Sequence, residues 1–479
     1  MEVAVIETTT QFSPGWWFSY LSQKMALRNN SLLTLREYLD GRGPLPESAE
    51  DMREAYAQFQ RKARTNFCEL IVEAVKERMT PAGFRIGDEE GLSGEADRIW
   101  SYNELDTFAA DVHGDMLGMR DGYVIVGPPG DDGIPLITRE EPLLMVVDFD
   151  RKRPTKVRAA LKFLRDEFSG LDTAYLYLPG VVYVAQRRNG GPATAESYPI
   201  TPGLAGFEWV PGMAPMRWPV GFADVVPVVC FHNKGGASEF ERHLDTIERI
   251  NYDILQRLII MAMQAFRQRA ILGDLPETEI GPDGISPELD TDGNPVPFDL
   301  KSRYKPGPGS MWAGSAETKI WESQVTDITQ ILDAEKADMR VLAAQTSTPM
   351  SMLLPDSANQ SATGADKGTE QLVAKTRDRI RRATFGWNQV MALALRFSGS
   401  AVSVLDIETQ WLDPAVASLS ERADAASKAV AAGVPWKSIM TDIMQFAPLK
   451  VEEMERQRLA DTLAVFTAPP VAPAAPNGV

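Results

Sequence analysis

Apolar residues along this chain keep two different periods, and the changes between them divide it. Over 15–40 and 48–79 they recur every three or four positions, as with Phe67, Leu70, Ile71, Ala74 and Val75, which predicts two amphipathic helices. Pro81 and Gly83 stop the second one. From there to about Asn233 the apolar runs are short and strand-like: DGYVIVG (121–127), EPLLMVVDF (141–149), TAYLYLP (173–179), VVYVAQRR (181–188) and DVVPVVCFH (224–232). Turn clusters such as PPGDDG (128–133) and RRNGG (187–191) separate or end them, so this part reads as α+β with mostly antiparallel strands.

After the turn NKGG the helical period returns and lengthens. Ser238 and Glu241 have the spacing of a capping box, and Phe240, Leu244, Ile247, Asn251, Ile254, Leu258 and Met261 hold one face. The pattern predicts a helix to about Leu272, on the order of 50 Å long, a rod rather than an ordinary globular helix. A lobe rich in Gly, Pro and Asp follows over 273–310. A second helix then returns from near Thr326 to Gln345, carrying Ile328, Ile331, Leu332, Met339 and Leu342. Two helices joined at one end by a lobe make an antiparallel hairpin.

The stretch AAQTSTPMSMLLPDSANQSATG (343–364) then breaks the helical pattern, with Pro349 and Pro355 opposing its continuation. A third long helix is predicted from about Asp366 to Phe397, with Gly386 marking a bend or a close contact. A shorter pair of helices is expected over 418–460, and the tail TAPPVAPAAPNGV is expected to be disordered.

Charge and chemistry narrow the function. With 49 Lys and Arg against 66 Asp and Glu, the net charge is −17, which opposes a protein that coats duplex DNA by neutralising phosphates. It does not oppose a surface past which DNA slides. The two cysteines, Cys68 and Cys230, sit in apolar segments and read as buried thiols. No signal peptide is expected, and the most apolar run, LIIMAMQAF (258–266), is about half the length of a membrane span.

His113, His232 and His243 show no HExxH spacing and the cysteines form no CxxC, so neither a metal nor a cofactor is expected. Cys230 and His232 fall on one side of a strand and read as a packed polar pair. GPPGDDG (127–133) lacks the Lys-Ser/Thr of a phosphate loop, and GADKGTE (364–370) lacks its spacing. The one dense basic run, KTRDRIRR (375–382), places Lys375, Arg379 and Arg382 on one helix face, with Arg377 and Arg381 opposite. Its default reading is a solvated or salt-bridged helix, and its functional reading is a basic patch facing a polyanion.

The ordered set of segments resembles the portal proteins of tailed double-stranded DNA phages, of the kind common in long-tailed phages of actinobacteria. The stretches that carry the resemblance are RKARTNFCELIVEAVKERMTPAGFRIG (61–87), VPVVCFHNKGGASEFERHLDTIERINYDILQRLI (226–259), KPGPGSMWAG (305–314), LAAQTSTPMSMLL (342–354), SATGADKGTEQLVAKTRDRIRRA (361–383) and WLDPAVASLSERADAASKAVAAGVP (411–435). The resemblance implies a mainly helical α+β fold assembling as a ring, usually of twelve copies. It places an N-terminal wing at 1–236, a first stem helix at 237–272, a clip at 273–322 and a second stem helix at 323–345. A tunnel loop at 346–364, a long wing and crown helix at 365–398, the crown at 399–465 and the tail at 466–479 complete that division.

It further implies a structural channel at one capsid vertex, through which double-stranded DNA is packaged and later ejected. The implied partners are the terminase large subunit, head-completion or adaptor proteins, and the major capsid and scaffolding proteins. No membrane is implied, and the location is the virion, with host cytoplasm during assembly. Met350, Met352, Leu353, Asn359 and Gln360 become channel or tunnel-loop candidates, and Lys375, Arg379 and Arg382 candidates for approaching DNA or the loop. Two rivals stand beside this reading: a metal-dependent DNA-processing enzyme using Asp148 and Asp150, and a virion adaptor that forms no channel.

Overall fold

The computed structural model describes residues 6–46, 53–87, 93–166, 168–188, 203–213, 215–265, 269–272, 277–283, 285–297, 319–322, 327–354, 362–415, 419–444, 446 and 448–467. The chain divides into two compact units. One comprises 1–43, 66–244 and 343–479, and the other 44–65 and 245–342.

The first unit opens with helix α1 (Pro14–Leu39), begun by Ser13, whose hydroxyl accepts the Trp16 N–H, with Pro14 in the first turn where no intrahelical donor is needed. The single helix expected over 48–79 is two, α2 (Arg53–Ala63) in the second unit and α3 (Phe67–Lys76) in the first. Asn66 restarts the helix by accepting the Glu69 N–H on its side chain. Strand β1 (Pro81–Ile86) follows, then α4 (Gly94–Tyr102) and α5 (Leu105–Gly118), neither of them expected from the pattern.

Strands β2 (Asp121–Pro129) and β3 (Pro135–Glu140) form a hairpin, and β4 (Met145–Phe149), β5 (Val157–Asp166), β6 (Leu171–Leu178) and β7 (Val181–Arg188) an antiparallel meander, extended by β8 (Glu208–Trp209) and β9 (Met216–Arg217). Strand β10 (Val228–His232) pairs with β2, giving a second sheet ordered β10-β2-β3.

The meander is buried on both faces. Trp17, Phe18, Leu21 and Met25 of α1 cover Val146, Leu161, Phe163 and Leu176 on one side. Tyr123, Ile125 and Val228 of the second sheet cover Val147, Ala160, Tyr177 and Val184 on the other. Burial on two faces is why these strands read as continuous apolar runs instead of clean alternation.

The second unit is an arm. Helix α6 (Leu244–Ala265) is followed by β11 (Arg269–Leu272), which pairs antiparallel with β12 (Lys319–Glu322), and α7 (Thr329–Thr346) returns. The helix expected as far as Leu272 thus stops at Ala265, near 33 Å in length, and the following residues are a strand. Arg249 meets Asp338 at 2.7 Å and Arg257 meets Glu335 at 3.1 Å, the descending order of an antiparallel helix pair. Between the strands, backbone bridges Thr278↔Pro297, Ile280↔Pro287 and Leu289↔Pro295 fold part of the acidic lobe on itself.

Back in the first unit come a four-residue helix α8 (Met350–Leu353) and the 36-residue α9 (Ala362–Phe397), about 54 Å long and begun four residues earlier than expected. Gly386 of α9 is a close contact: a Cβ there would lie 2.5 Å from the Phe231 ring. Trp387 beside it is fully buried among Phe231, Trp100 and His113, and its indole N–H donates to His113 Nε2 at 2.9 Å. That bond needs Nε2 as its acceptor, which puts the imidazole proton on Nδ1, and burial keeps the ring neutral. Strand β13 (Ile407–Trp411) pairs antiparallel with β1, and helices α10 (Leu419–Ala431) and α11 (Pro448–Thr467) end the described chain. The tail over 468–479 lies outside the described residues.

Candidate functional site

The break after α7 is built, not slack. Ser347 turns the chain with φ of 54°, and the Thr348 N–H donates back to the Ala343 carbonyl at 3.1 Å, recovering an acceptor at the helix end. Thr346 donates its hydroxyl to Thr348 Oγ1 at 2.9 Å, and both are buried. Pro349 then leads into α8, and the Leu354 N–H closes its single turn on the Met350 carbonyl at 2.8 Å. The far end of the stretch returns to the same place, because a Cβ on Gly368 of α9 would lie 3.7 Å from Pro349 Cα.

Of the expected tunnel-loop residues, Met350 and Met352 are half-buried, while Leu353 is buried at 7% exposure and anchors α8. Burial removes the Leu353 side chain from any surface the subunit presents. Asn359 and Gln360 lie outside the described residues.

The basic run divides differently from its helical-wheel reading. Lys375 Nζ sits 2.7 Å from Glu239 Oε2 and donates at 2.8 Å to the carbonyl of Thr346. Arg379 clasps the same carboxylate with Nε at 2.5 Å and Nη2 at 3.2 Å, and also pairs with Asp378. Asn233 Nδ2 donates to Glu239 Oε1 at 3.0 Å, and the Glu239 N–H donates to the Leu117 carbonyl at 2.9 Å. Neither Lys375 nor Arg379 is available to a phosphate in this arrangement, since both are buried against Glu239.

Arg382 is the exposed member of the predicted face and bonds Asp378 at 3.2 Å. Arg377 and Arg381, on the opposite side, are exposed, with Arg377 3.2 Å from Asp413.

Burial alone would raise the Glu239 carboxyl, but the Lys375 charge and the Arg379 hydrogen bonds and charge outweigh it and hold it at about 2. Burial lowers Lys375, an effect Glu239 opposes. His243, which bonds Gln345 near the end of α7, is also lowered by burial. One ionised carboxylate therefore ties together the segment leading to α6, the end of α7 and the middle of α9. Sequence reading missed Glu239, because nothing in ASEFERH marks the first glutamate as the buried one.

The enzyme reading finds no catalytic geometry at its two carboxylates. Asp148 is buried and held by Arg158 at 2.6 Å, with Lys24 at 3.5 Å and the Tyr20 hydroxyl at 3.4 Å. Asp150 is a turn residue accepting the Lys152 N–H, which lowers its pKa. GPPGDDG spans the end of β2 and the turn toward β3, where Asp132 accepts from the Tyr102 hydroxyl at 2.9 Å. Among the described residues no helix is long and apolar enough to cross a membrane.

The family model described as phage portal protein, SPP1 Gp6-like, matches residues 19–458. The portal protein of Mycobacterium phage D29 is 28% identical over 455 residues, covering 87% of this chain and 84% of its own. That of Mycobacterium phage L5 is 26% identical over 422 residues, covering 82% and 78%. Among solved structures, the neck of an empty gene transfer agent particle computed with C6 symmetry covers 83% of this chain and 94% of its own. Its TM-score is 0.41 at 13% identity. The neck of the native particle computed with C12 symmetry gives 0.39 at 12%, covering 81% and 91%.

Proposed function

Because the chain belongs to the SPP1 Gp6-like family of phage portal proteins and is a structural head-to-tail connector, we propose that twelve copies close into a ring at one capsid vertex. Double-stranded DNA is driven in through its channel by a separate terminase and leaves by the same route. The subunit carries no catalysis of its own. The observation that supports this most directly is the arm of α6, β11, β12 and α7, in which two helices pair antiparallel and are joined by two strands and an acidic lobe.

On this reading the helices are the stem and 273–322 the clip, which meets the terminase large subunit and later the head-completion or adaptor proteins. The wing at 1–236 and the crown at 399–465 face the major capsid and scaffolding proteins. The stretch 346–364 is the tunnel loop, with Met350 and Met352 toward the channel. Arg382 is the member of the predicted face left exposed to approach DNA, while Lys375 and Arg379 set the loop's base. Assembly occurs in the host cytoplasm and the ring resides in the virion.

Electrostatics support the role. A subunit of net charge −17 repeated around a ring repels DNA from the walls, and each phosphate left unneutralised removes salt-dependent affinity that would brake movement. Native mass measurement with negative-stain microscopy tests the reading. The expected particle is about twelve times 52.8 kDa with a central hole. Failure to form closed rings, alone or with the scaffolding protein, would overturn it in favour of a channel-free adaptor.

A further inference from the structure

Strands β2 and β10 bring Asp121 to Cys230 and His232, which lie more than a hundred positions further along the chain. Cys230 and His232 alternate on β10 and so project from one face. The antiparallel register sets His232 directly opposite Asp121 of β2. His232 Nδ1 lies 2.5 Å from Asp121 Oδ1, Cys230 Sγ lies 3.8 Å from that nitrogen, and the three donor atoms all fall within 4.8 Å of one another. We propose that Asp121, Cys230 and His232 form a site for one zinc ion, with water in the fourth position.

The donor set selects the metal. A thiolate with an imidazole and a carboxylate suits zinc and disfavours magnesium and calcium, which take oxygen ligands. Tetrahedral zinc, with bonds of about 2.0–2.3 Å, needs donors roughly 3.3–3.6 Å apart. The sulfur–nitrogen distance is close to that already. The aspartate–histidine hydrogen bond opens as the ion replaces its proton.

Supporting contacts orient the ligands as metal sites require. Asp121 Oδ2 accepts from the Tyr123 hydroxyl at 3.3 Å, which in turn accepts from Arg28 Nη1 at 2.8 Å. The Phe149 ring lies 4.9 Å from the His232 ring and walls one side. His232 is 47% exposed along its side chain, which leaves an approach for the ion and its water. Both ligand-bearing strands belong to the three-stranded sheet, so backbone hydrogen bonds fix their relative position.

Binding releases the Cys230 thiol proton, while the imidazole ligates through Nδ1 and carries its proton on Nε2, so affinity rises with pH. The occupied site would tie β10 to β2 just ahead of the segment carrying Asn233 and Glu239.

Cobalt(II) titration of the full-length reduced protein tests this, because a cobalt–thiolate bond gives a near-ultraviolet charge-transfer band that oxygen ligands do not. One equivalent should produce the band and one equivalent of zinc should abolish it. Cys230→Ser should eliminate the band and Asp121→Asn should weaken cobalt binding at least tenfold. Cys68→Ser, which alters the buried thiol of α3, should leave the band intact. Circular dichroism of the metal-free variants checks that each is folded. Absence of a thiolate band in the folded wild-type chain, or its persistence in Cys230→Ser, would overturn the proposal and leave an aspartate–histidine hydrogen bond beside a packed thiol. This inference does not depend on ring formation.

Discussion

Lys375 and Glu239 meet at 2.7 Å with side chains only 11% and 3% exposed, which makes their contact a buried ion pair. The distinction carries energy. An exposed pair contributes about 0–1 kcal/mol, whereas removing one partner of a buried pair strands the other charge at about 3–5 kcal/mol. Glu239→Gln, which leaves Lys375 without its counter-charge and Arg379 with Asp378 alone, is expected to cost about 3 kcal/mol in denaturant unfolding. Hydrogen exchange should rise at Thr346–Thr348, where Lys375 holds the Thr346 carbonyl. Unchanged exchange there would separate the ion pair from the base of the loop.

Arg379→Glu and Arg382→Glu reverse the same charge about one helical turn apart on one face of α9, and their outcomes should differ in kind. The first buries a second carboxylate against Glu239 and should abolish soluble folded protein. The second acts on an exposed side chain and should leave stability within about 0.5 kcal/mol. On the portal reading, it changes packaged DNA length or the salt dependence of packaging. Equal losses of fold in the two variants would contradict the burial difference.

Gly386 has no room for a methyl group. Gly386→Ala gains about 1 kcal/mol in helix propensity but drives a Cβ toward the Phe231 ring, and overpacking costs about 1–3 kcal/mol. The net effect should be destabilising, and Phe231→Leu in the same chain should recover part of it. A double-mutant cycle showing no coupling would dismiss the contact.

His113 sets an acid limit. Burial lowers its pKa from the ordinary 6.5 to about 3, so its stabilising contribution is present above pH 6.5 and is lost as pH falls toward 3. Glu239, held at about 2, adds a loss of the same sign from its ordinary 4.5 downward. Asp115 acts oppositely: burial, only partly offset by Arg139, raises it to about 6, so its contribution is present below 3.8 and lost as pH rises through 6. His113→Gln, which keeps an acceptor for the Trp387 indole, should flatten the fall in unfolding free energy between pH 6.5 and 4. An unchanged slope would exclude His113 as its source.

Met350 and Met352 test the loop assignment. Replacing both with Gln removes apolar contact while keeping length, and should leave ring assembly intact but reduce packaging in vitro. Packaging at the wild-type level would remove these two side chains from the channel.

The legible parts of the fold were those with one dominant local cause. α1, the β6 and β7 strands and α9 declare themselves by period, and Gly386 by its place inside the periodic run of α9. Strand β5, VRAALKFLRD, was missed because Ala, Leu, Lys and Arg favour helix, and only pairing with β4 and β6 makes it a strand. The helix pattern through 269–272 failed likewise, since a strand there depends on Lys319–Glu322, some fifty residues on. At the loop's base, charge spacing identified Lys375 and Arg379 but not their partner, because the Glu239 contact spans 140 and 136 residues of sequence. Asp121 escaped beside the Cys230 and His232 pair for the same reason, since its contact spans 111 residues.

The pairing of β1 with β13 has a consequence for synthesis. Residues 81–86 leave the ribosome with their hydrogen-bonding edge unmatched, and 407–411 emerge more than three hundred residues later. At roughly 5–20 residues per second, the delay is on the order of 15–65 s. The Glu239 carboxylate waits a little under half as long for Lys375 and Arg379. The first unit therefore cannot close until nearly the whole polypeptide is made, so order of translation acts as a clock that withholds a finished subunit from its neighbours while it is still being built.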